Sequence, residues 1–308
     1  FLLLVAGIYL FPLKVFETDF SKIPGDLGDA RFNNYILEHG HNYLTGKVNK
    51  YWDAPFMYPF KNVIAFSDNL LGTVPIYSVF RIAGADRETA FQFWFLALFV
   101  LNFICCFWAL KKWSDNYLLS SVGAYIFAFS IFNLGQINHA QVFPRFIIPL
   151  VFYWSWKFLS AKELKYFLFA SLGTVYQFYC GIYLGFLLIY VLMFFLIANF
   201  IVYRDADFFF PLKKIKTFTF SLGIILIAGI LMIPLMMPYI NISEVTGMHQ
   251  FGDVIDTIPM LRSYFFSSPG SFTWRFLSGH SVDGFPPWWY HILFPGALPW
   301  LGIFMIPL

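Results

Sequence analysis

Residues 181–202 read GIYLGFLLIYVLMFFLIANFIV and contain no charged side chain. The run exceeds the ~20 apolar residues that a helix needs to cross the hydrocarbon core of a bilayer. It lacks the alternation of polar and apolar residues that is typical of a membrane-spanning β-strand. The stretch therefore predicts a transmembrane α-helix, and it indicates the fold class of the chain around it.

The composition of the whole chain agrees with this prediction. Of its 308 residues, 59% are hydrophobic, 23% aromatic and 12% charged, and the mean hydropathy is +0.67. A soluble domain carries about 25% charged residues, so the composition excludes a water-soluble enzyme, and the aromatic content excludes a disordered chain. The formal net charge of +3 gives no basis for a nucleic-acid partner. We predict an all-α, polytopic membrane protein that forms a single transmembrane domain over residues 1–308.

Apolar windows on both sides of residues 181–202 predict about eight transmembrane helices. The first ends near Leu13 and the eighth begins near His291. The six between them are predicted at 89–110, 117–134, 146–159, 166–178, 181–203 and 218–238. Because the apolar stretches at both chain ends are shorter than a full span, we expect a piece of a longer protein, truncated at both ends.

The distribution of charge predicts the orientation in the membrane. Nine basic residues lie in three alternate short connections, which should face the cytoplasm. They are Lys111, Lys112, Lys157, Lys162, Lys165, Arg204, Lys213, Lys214 and Lys216. Thirteen of the seventeen acidic residues lie on the opposite side, in a first external loop at 14–88 and a last external loop at 239–290. Chemistry is expected in these two loops, because function tends to lie on loops that a rigid scaffold holds.

The first external loop begins with a motif that could do chemistry. Residues 24–39 read PGDLGDARFNNYILEH, and from Asp29 the apolar residues recur at helical spacing, which predicts an amphipathic helix at the membrane surface. One of the carboxylates of Asp26 and Asp29 could act as a general base. Alternatively, both could hold a divalent cation, magnesium or manganese. The structural alternative is a helix cap at Asp29 and an Asx-turn at Asp26.

The same loop contains further polar candidates. Residues 66–72, FSDNLLG, indicate a helix start before a second amphipathic stretch that reaches Ile82, so Asp68 is either a cap or a third acid facing the same pocket. His39 and His41 lie two residues apart, which on a helix directs them to opposite sides. We therefore expect solvated histidines at the interface and not a metal site.

Polar side chains also crowd the connection at 134–145, LGQINHAQVFPR. Between two spanning helices they indicate a wet, inward-facing site. His139, Gln141 and Arg145 could bind an anionic head group, with Arg145 pairing to a phosphate. Snorkelling of Arg145 to the interface is the alternative. In the last external loop, the aromatic cluster at 286–289 suits either sugar stacking or interface anchoring.

This layout resembles the GT-C superfamily of polyprenyl-phosphate-sugar-dependent membrane glycosyltransferases, in its bacterial multi-pass form. The matching pieces are residues 25–29 (GDLGD), 66–72 (FSDNLLG), 138–141 (NHAQ) and 294–296 (FPG). The resemblance implies a GT-C-like fold with two interface helices in the first external loop. It also implies a bacterial inner or plasma membrane, with the acidic loops on the non-cytoplasmic side.

The resemblance also implies roles for particular residues. In that superfamily an acidic residue of the first loop acts as base or metal ligand, which implies Asp29 with Asp26 beside it. Basic residues hold the lipid phosphate, which implies Arg145 and Arg31. His139 and Asp68 are further candidates for substrate binding. Many members carry an acidic residue in the second external loop, whereas this chain has none at 134–145.

Three functions are compatible with the sequence. The leading hypothesis is inverting sugar transfer from a lipid-linked donor to a glycan, lipid or protein hydroxyl on the outer face, with membrane lipids around it. No P-loop or dinucleotide fingerprint is present for a soluble nucleotide donor. The second is a transporter or flippase of lipids or lipid-linked glycans, although the predicted helix centres carry little charge and no internal repeat is evident. The third is a non-catalytic membrane scaffold.

Overall fold

A computed structural model shows how the chain folds. It describes residues 1–17, 19–130, 136–203, 215–247, 250–269, 271, 273–278 and 288–304. Over these residues the protein is helical and contains no strand, so the all-α class is confirmed. Some of the predicted features lie outside the described residues. They are three of the basic residues that predict the orientation in the membrane, residues 131–135 of the polar connection and the prolines of the 286–289 cluster. The three basic residues are Arg204, Lys213 and Lys214.

Short 3-10 turns connect several of the α-helices. The α-helices of the described residues are α1 Leu2–Leu10, α2 Pro12–Phe16, α3 Asp29–Leu44, α4 Val74–Ile82, α5 Arg87–Ser114, α6 Tyr117–Phe129, α7 Ile148–Ala161, α8 Leu164–Cys180, α9 Ile182–Tyr203, α10 Ile215–Thr246, α11 Phe251–Val254 and α12 Ala297–Phe304.

Three helices are long and apolar enough to cross a membrane. They are Arg87–Ser114 in α5, Ile182–Val202 in α9 and Thr217–Thr246 in α10. Two apolar helical segments, Leu2–Phe16 and Tyr117–Phe129, are shorter than this length. Membrane-helix character is therefore supported for three helices, whereas the total of about eight stays a prediction.

Helix α5 forms the centre of the core, because its aromatic rings reach neighbours on several sides. The rings of Phe95 and Phe99 are fully buried and contact Phe143, with centroids 4.9 and 5.2 Å apart. Phe99 also lies 4.9 Å from Phe11 and stacks at 5.6 Å on Phe129. Each aromatic pair adds about 0.5–1.5 kcal/mol beyond the area that it buries. These contacts hold α6 and the segment before α7 on α5.

Buried side-chain amides fix the irregular segments to this core. Backbone carbonyls outside helices need donors wherever water is excluded. The contacts are Gln92 Nε2 to Phe20 O and Lys22 O (2.7 Å each), Asn102 Nδ2 to Phe143 O (2.9 Å) and Gln177 Nε2 to Pro144 O (2.8 Å). The segments at 20–22 and 143–144 are thereby tied to α5 and α8.

The two helices predicted in the first external loop are present and pack on each other. Gly40 of α3 meets Val74 of α4 so closely that a Cβ added at Gly40 would lie 2.5 Å from Val74 Cγ2. Glu38 accepts hydrogen bonds from Tyr77 Oη and Arg81 Nε, each at 2.8 Å. Both helices also contact α5. The loop at 14–88 is therefore a folded layer on the helix bundle.

Replacing Gly40 by Val should destabilise this layer, because the added side chain has no space at α4. Overpacking of this kind costs about 1–3 kcal/mol, and we expect a lower Tm in detergent. Gly223→Val in α10 is the matched control, since no atom lies within 4 Å of its added Cβ. Equal Tm values for the two variants would contradict the observed packing of α3 on α4.

Candidate functional site

Asp29 is the first residue of α3, and its carboxylate is directed away from its own helix. The N-cap position belongs to Gly28, and no side chain caps this helix end. Instead, Asp29 Oδ2 lies 2.8 Å from His139 Nδ1 and 3.3 Å from Gln141 Nε2. The first external loop and the 136–145 segment thus meet at Asp29. The capping alternative does not describe this residue.

Asn33 extends the contact from the same side of α3. Its Nδ2 donates to Gln141 Oε1 at 2.6 Å, and residues four apart lie on one face of a helix. Asn33 is buried, whereas 50% of the Asp29 side chain and 38% of the His139 side chain are exposed. The Asp29–His139 pair is therefore anchored on its inner side and open on its outer side. Asn33 was not predicted from the sequence, although its spacing of four residues places it on the same face of α3 as Asp29.

Asp26 shapes the chain entering α3. Its Oδ1 accepts the Gly28 N–H at 3.0 Å, which is the Asx-turn that the sequence allowed. The neighbouring Gly25 has φ of +91°, and a Cβ there would lie 3.1 Å from Ile137 O. This turn therefore also contacts the 136–145 segment. Glycine is favoured at 25 by both the backbone angle and the close approach.

The predicted magnesium or manganese site has no support in this geometry. No group of three or more His, Cys, Asp or Glu side chains that could hold a metal occurs among the residues that the structure describes. Asp26 Oδ1 bonds to Gly28, and Asp29 Oδ2 bonds to His139. Because Mg²⁺ can be bound by one or two carboxylates together with a substrate phosphate, a cation at Asp26 and Asp29 stays a prediction.

Asp68 is buried at the amino end of α9. Its Oδ1 accepts the Tyr183 N–H at 3.4 Å, a contact spanning 115 positions in sequence. Burial raises the pKa of Asp68 to about 7, and the N–H groups of Ile182 and Tyr183 oppose this shift. A Cβ added at Gly181 would lie 3.2 Å from Asp68 Oδ1 and 3.5 Å from Gln141 O. Asp68 therefore caps a distant helix and is separated from the Gln141 backbone by Gly181.

The residues around Asp68 are tied to helices α8 and α10 and to Tyr51. Tyr239 Oη of α10 donates to Ser67 O at 2.9 Å, and Asn69 Nδ2 donates to Phe178 O of α8 at 3.0 Å. Tyr51 Oη also donates to Asn69 O. The FSDNLLG stretch thus connects the loop at 14–88 with helices α8, α9 and α10.

The two predicted phosphate ligands lie elsewhere. Arg145 Nη2 donates to Phe127 O at 3.0 Å, and its guanidinium lies 5.2 Å from the centroid of the Phe127 ring. Arg31 is exposed and lines a cavity of about 360 Å³ together with Glu38 and Glu88. Neither arginine is among the described contacts of Asp29. Their role in phosphate binding stays a prediction.

The expectation of solvated histidines in α3 is wrong. His39 and His41 are 6% and 5% exposed, and His39 Nε2 lies 2.9 Å from Tyr51 O. Burial lowers the pKa of His41. The reason is that α3 packs against α4 and α5, so both of its sides carry buried residues.

Comparisons with protein-family models, with curated proteins and with solved structures give no match for this chain.

Asp68 should make the stability depend on pH. The pKa of Asp68 is about 7 in the folded protein, whereas that of a free carboxyl is 3.8. Its contribution to the free energy of unfolding is therefore complete below pH 3.8 and is lost as the pH rises to about 7. Asp68→Asn should remove this loss, since an amide oxygen still accepts the backbone N–H. The Tm advantage of the variant over the original protein should grow between about pH 4.5 and about pH 8.

Asp26→Asn is the control for this measurement, because Asp26 is exposed and its Asx-turn survives the change. Its Tm should follow that of the original protein at every pH. A constant Tm difference for Asp68→Asn across the range would contradict the raised pKa.

Proposed function

We propose that the chain belongs to a membrane glycosyltransferase with a GT-C-like fold. It would transfer a sugar from a polyprenyl-phosphate donor to a hydroxyl of a glycan, lipid or protein acceptor. The observation that carries the proposal is the half-exposed Asp29–His139 pair, held by Gln141 and Asn33. A carboxylate bound to an imidazole is an arrangement that accepts a proton from a hydroxyl.

The pair can act as a base in a defined way. When the imidazole of His139 is neutral and donates its Nδ1–H to Asp29, the lone pair of Nε2 is available to the acceptor. The acceptor oxygen then loses its proton to the pair and forms a bond to the anomeric carbon. The bond from that carbon to the phosphate oxygen breaks, and the phosphate leaves on the lipid. Asp29 would orient His139 and stabilise the imidazolium that forms.

The leaving phosphate needs positive charge nearby. Arg145 belongs to the same segment as His139 and is the proposed phosphate ligand, with Arg31 as the second candidate. A guanidinium can bind two phosphate oxygens at once. In this proposal the lipid tail lies among the apolar helices, and α9 exposes large apolar side chains along its length.

The proposed arrangement in the membrane follows the charge distribution. About eight helices would cross a bacterial inner or plasma membrane, with the connections rich in lysine on the cytoplasmic side. The loop at 14–88 and the 136–145 segment would then face the outside together, which agrees with their contact at Asp29.

Asp29→Asn and His139→Gln should each reduce glycan transfer by about 10²–10⁴-fold, because each removes one half of the base. The measurement is transfer by the protein in membranes, with the amount of inserted protein determined in parallel. Asp26→Asn is the matched control, since it removes a carboxylate three residues away and retains the Asx-turn. It should change the rate only a few-fold.

Undiminished transfer by inserted Asp29→Asn protein would contradict the proposed reaction. Substrate movement across vesicle membranes that survives neutralisation of Asp29 would instead favour the flippase hypothesis.

The proposed orientation can be tested with exposed lysines on the two sides. In a variant with Cys105, Cys106 and Cys180 replaced by Ala, Lys61→Cys should react with a membrane-impermeant maleimide applied to intact cells. Lys112→Cys should react only after the membrane is opened. The reverse pattern would show that the acidic loop faces the cytoplasm.

A further inference from the structure

A second cavity lies between the first external loop and the membrane helices, and it is distinct from the Asp29–His139 pair. Its volume is about 460 Å³, within the range of about 300–1,000 Å³ that small-molecule sites occupy. The lining residues on the loop side include Asn49, Lys50, Trp52 and Asp53, and those on the helix side include Tyr179 and Pro234.

The indole of Trp52 is held rigidly at this cavity. Tyr51 meets it edge to face at 5.4 Å and 80°, and Tyr239 does so at 5.7 Å and 76°. Tyr239 is fixed in turn by its bond to Ser67 O. Because aromatic pairs favour edge-to-face geometry, these two contacts orient the Trp52 ring, which forms an aromatic wall of the cavity.

Beside this ring, the polar groups offer both donors and acceptors. Asp53 Oδ1 accepts the Asn62 N–H at 2.8 Å, and Lys50 Nζ lies 3.4 Å from Asp53 Oδ2. The hydrogen bond from Asn62 holds the pKa of Asp53 below its usual range. The Lys50–Asp53 pair carries no net charge, and the exposed Asn49 side chain adds an amide. The rim therefore suits a neutral ligand with many hydroxyls better than a phosphate.

The helix side of the cavity is built around a proline. Pro234 lies inside α10, where a proline disturbs the helical hydrogen bonds of the preceding turn. Tyr179 Oη donates to Leu231 O in that turn at 2.7 Å. This bond fixes the Tyr179 ring, which lines the cavity together with Trp52.

We propose that this cavity binds a carbohydrate ring. The apolar C–H face of a sugar would lie on the Trp52 indole, and its hydroxyls would bond to Asp53, Lys50 and Asn49. An aromatic wall with a few placed polar groups gives orientation and specificity to a site. None of these residues belongs to the proposed base, so sugar binding in this cavity and sugar transfer at Asp29 can be tested separately.

The test uses the full chain in nanodiscs and saturation-transfer NMR with a panel of free sugars: glucose, galactose, mannose, N-acetylglucosamine and maltose. At least one should bind. Trp52→Ala should abolish its saturation transfer, because the stacking surface is lost. Asn49→Ala, an exposed side chain whose loss spares the packing, should weaken binding about three- to tenfold, the value of one hydrogen bond.

Lys112→Ala, an exposed residue of α5 that does not line this cavity, is the control and should bind sugar unchanged. No binding of any sugar in the panel, or equal binding by folded Trp52→Ala and Asn49→Ala proteins, would overturn the inference. Asp29→Asn should also bind sugar unchanged. If Asp29→Asn loses transfer but no sugar in the panel binds to the protein, the proposed sugar site is wrong and the proposed reaction is unaffected. If a sugar binds but Asp29→Asn transfers undiminished, the proposed reaction is wrong and the sugar site is unaffected.

Discussion

Backbone carbonyls outside helices must be hydrogen-bonded wherever this protein excludes water, and buried amide side chains meet that need. Gln92, Asn102 and Gln177 donate from α5 and α8 to carbonyls of the irregular segments beside them. Asn69 does the reverse, donating from the loop to the end of α8. Each of these bonds would leave an unpaired buried group if it were broken. The loops are therefore fixed parts of the bundle.

This constraint brings the chemical groups together. The segment that carries His139 is fixed by Asn102 and Gln177, and α3, which carries Asp29, is fixed by its packing on α4 and α5. The carboxylate and the imidazole meet because both supports are rigid, and Gln141 completes the contact from the same segment. A site held in this way needs little reorganisation when a substrate binds.

The sequence predicted the helices better than their contacts. The start of α3 at Asp29 and the position of α9 follow from apolar spacing and charge, which are local properties. The burial of His39 does not follow from these local properties. Amphipathic spacing shows which face of a helix is apolar, but not how much of the helix its neighbours cover. The capping of α9 by Asp68 spans 115 positions, and no local pattern encodes such a contact. The wall around Trp52 was missed for the same reason.

The loop at 14–88 and the 136–145 segment meet at Asp29 and His139, and the proposed reaction depends on this contact. Crosslinking of Asp29→Cys to His139→Cys in membranes by a short bis-methanethiosulfonate reagent, with the three native cysteines replaced by Ala, tests it directly. The two native side chains meet at their ends, with Asp29 Oδ2 2.8 Å from His139 Nδ1, so a short reagent can bridge two sulfur atoms there that lie too far apart for a direct disulfide. We expect rapid crosslinking for this pair and none for Asp29→Cys with Lys112→Cys, which belongs to the predicted cytoplasmic connection. An inserted, folded protein in which the first pair fails to crosslink would contradict the account.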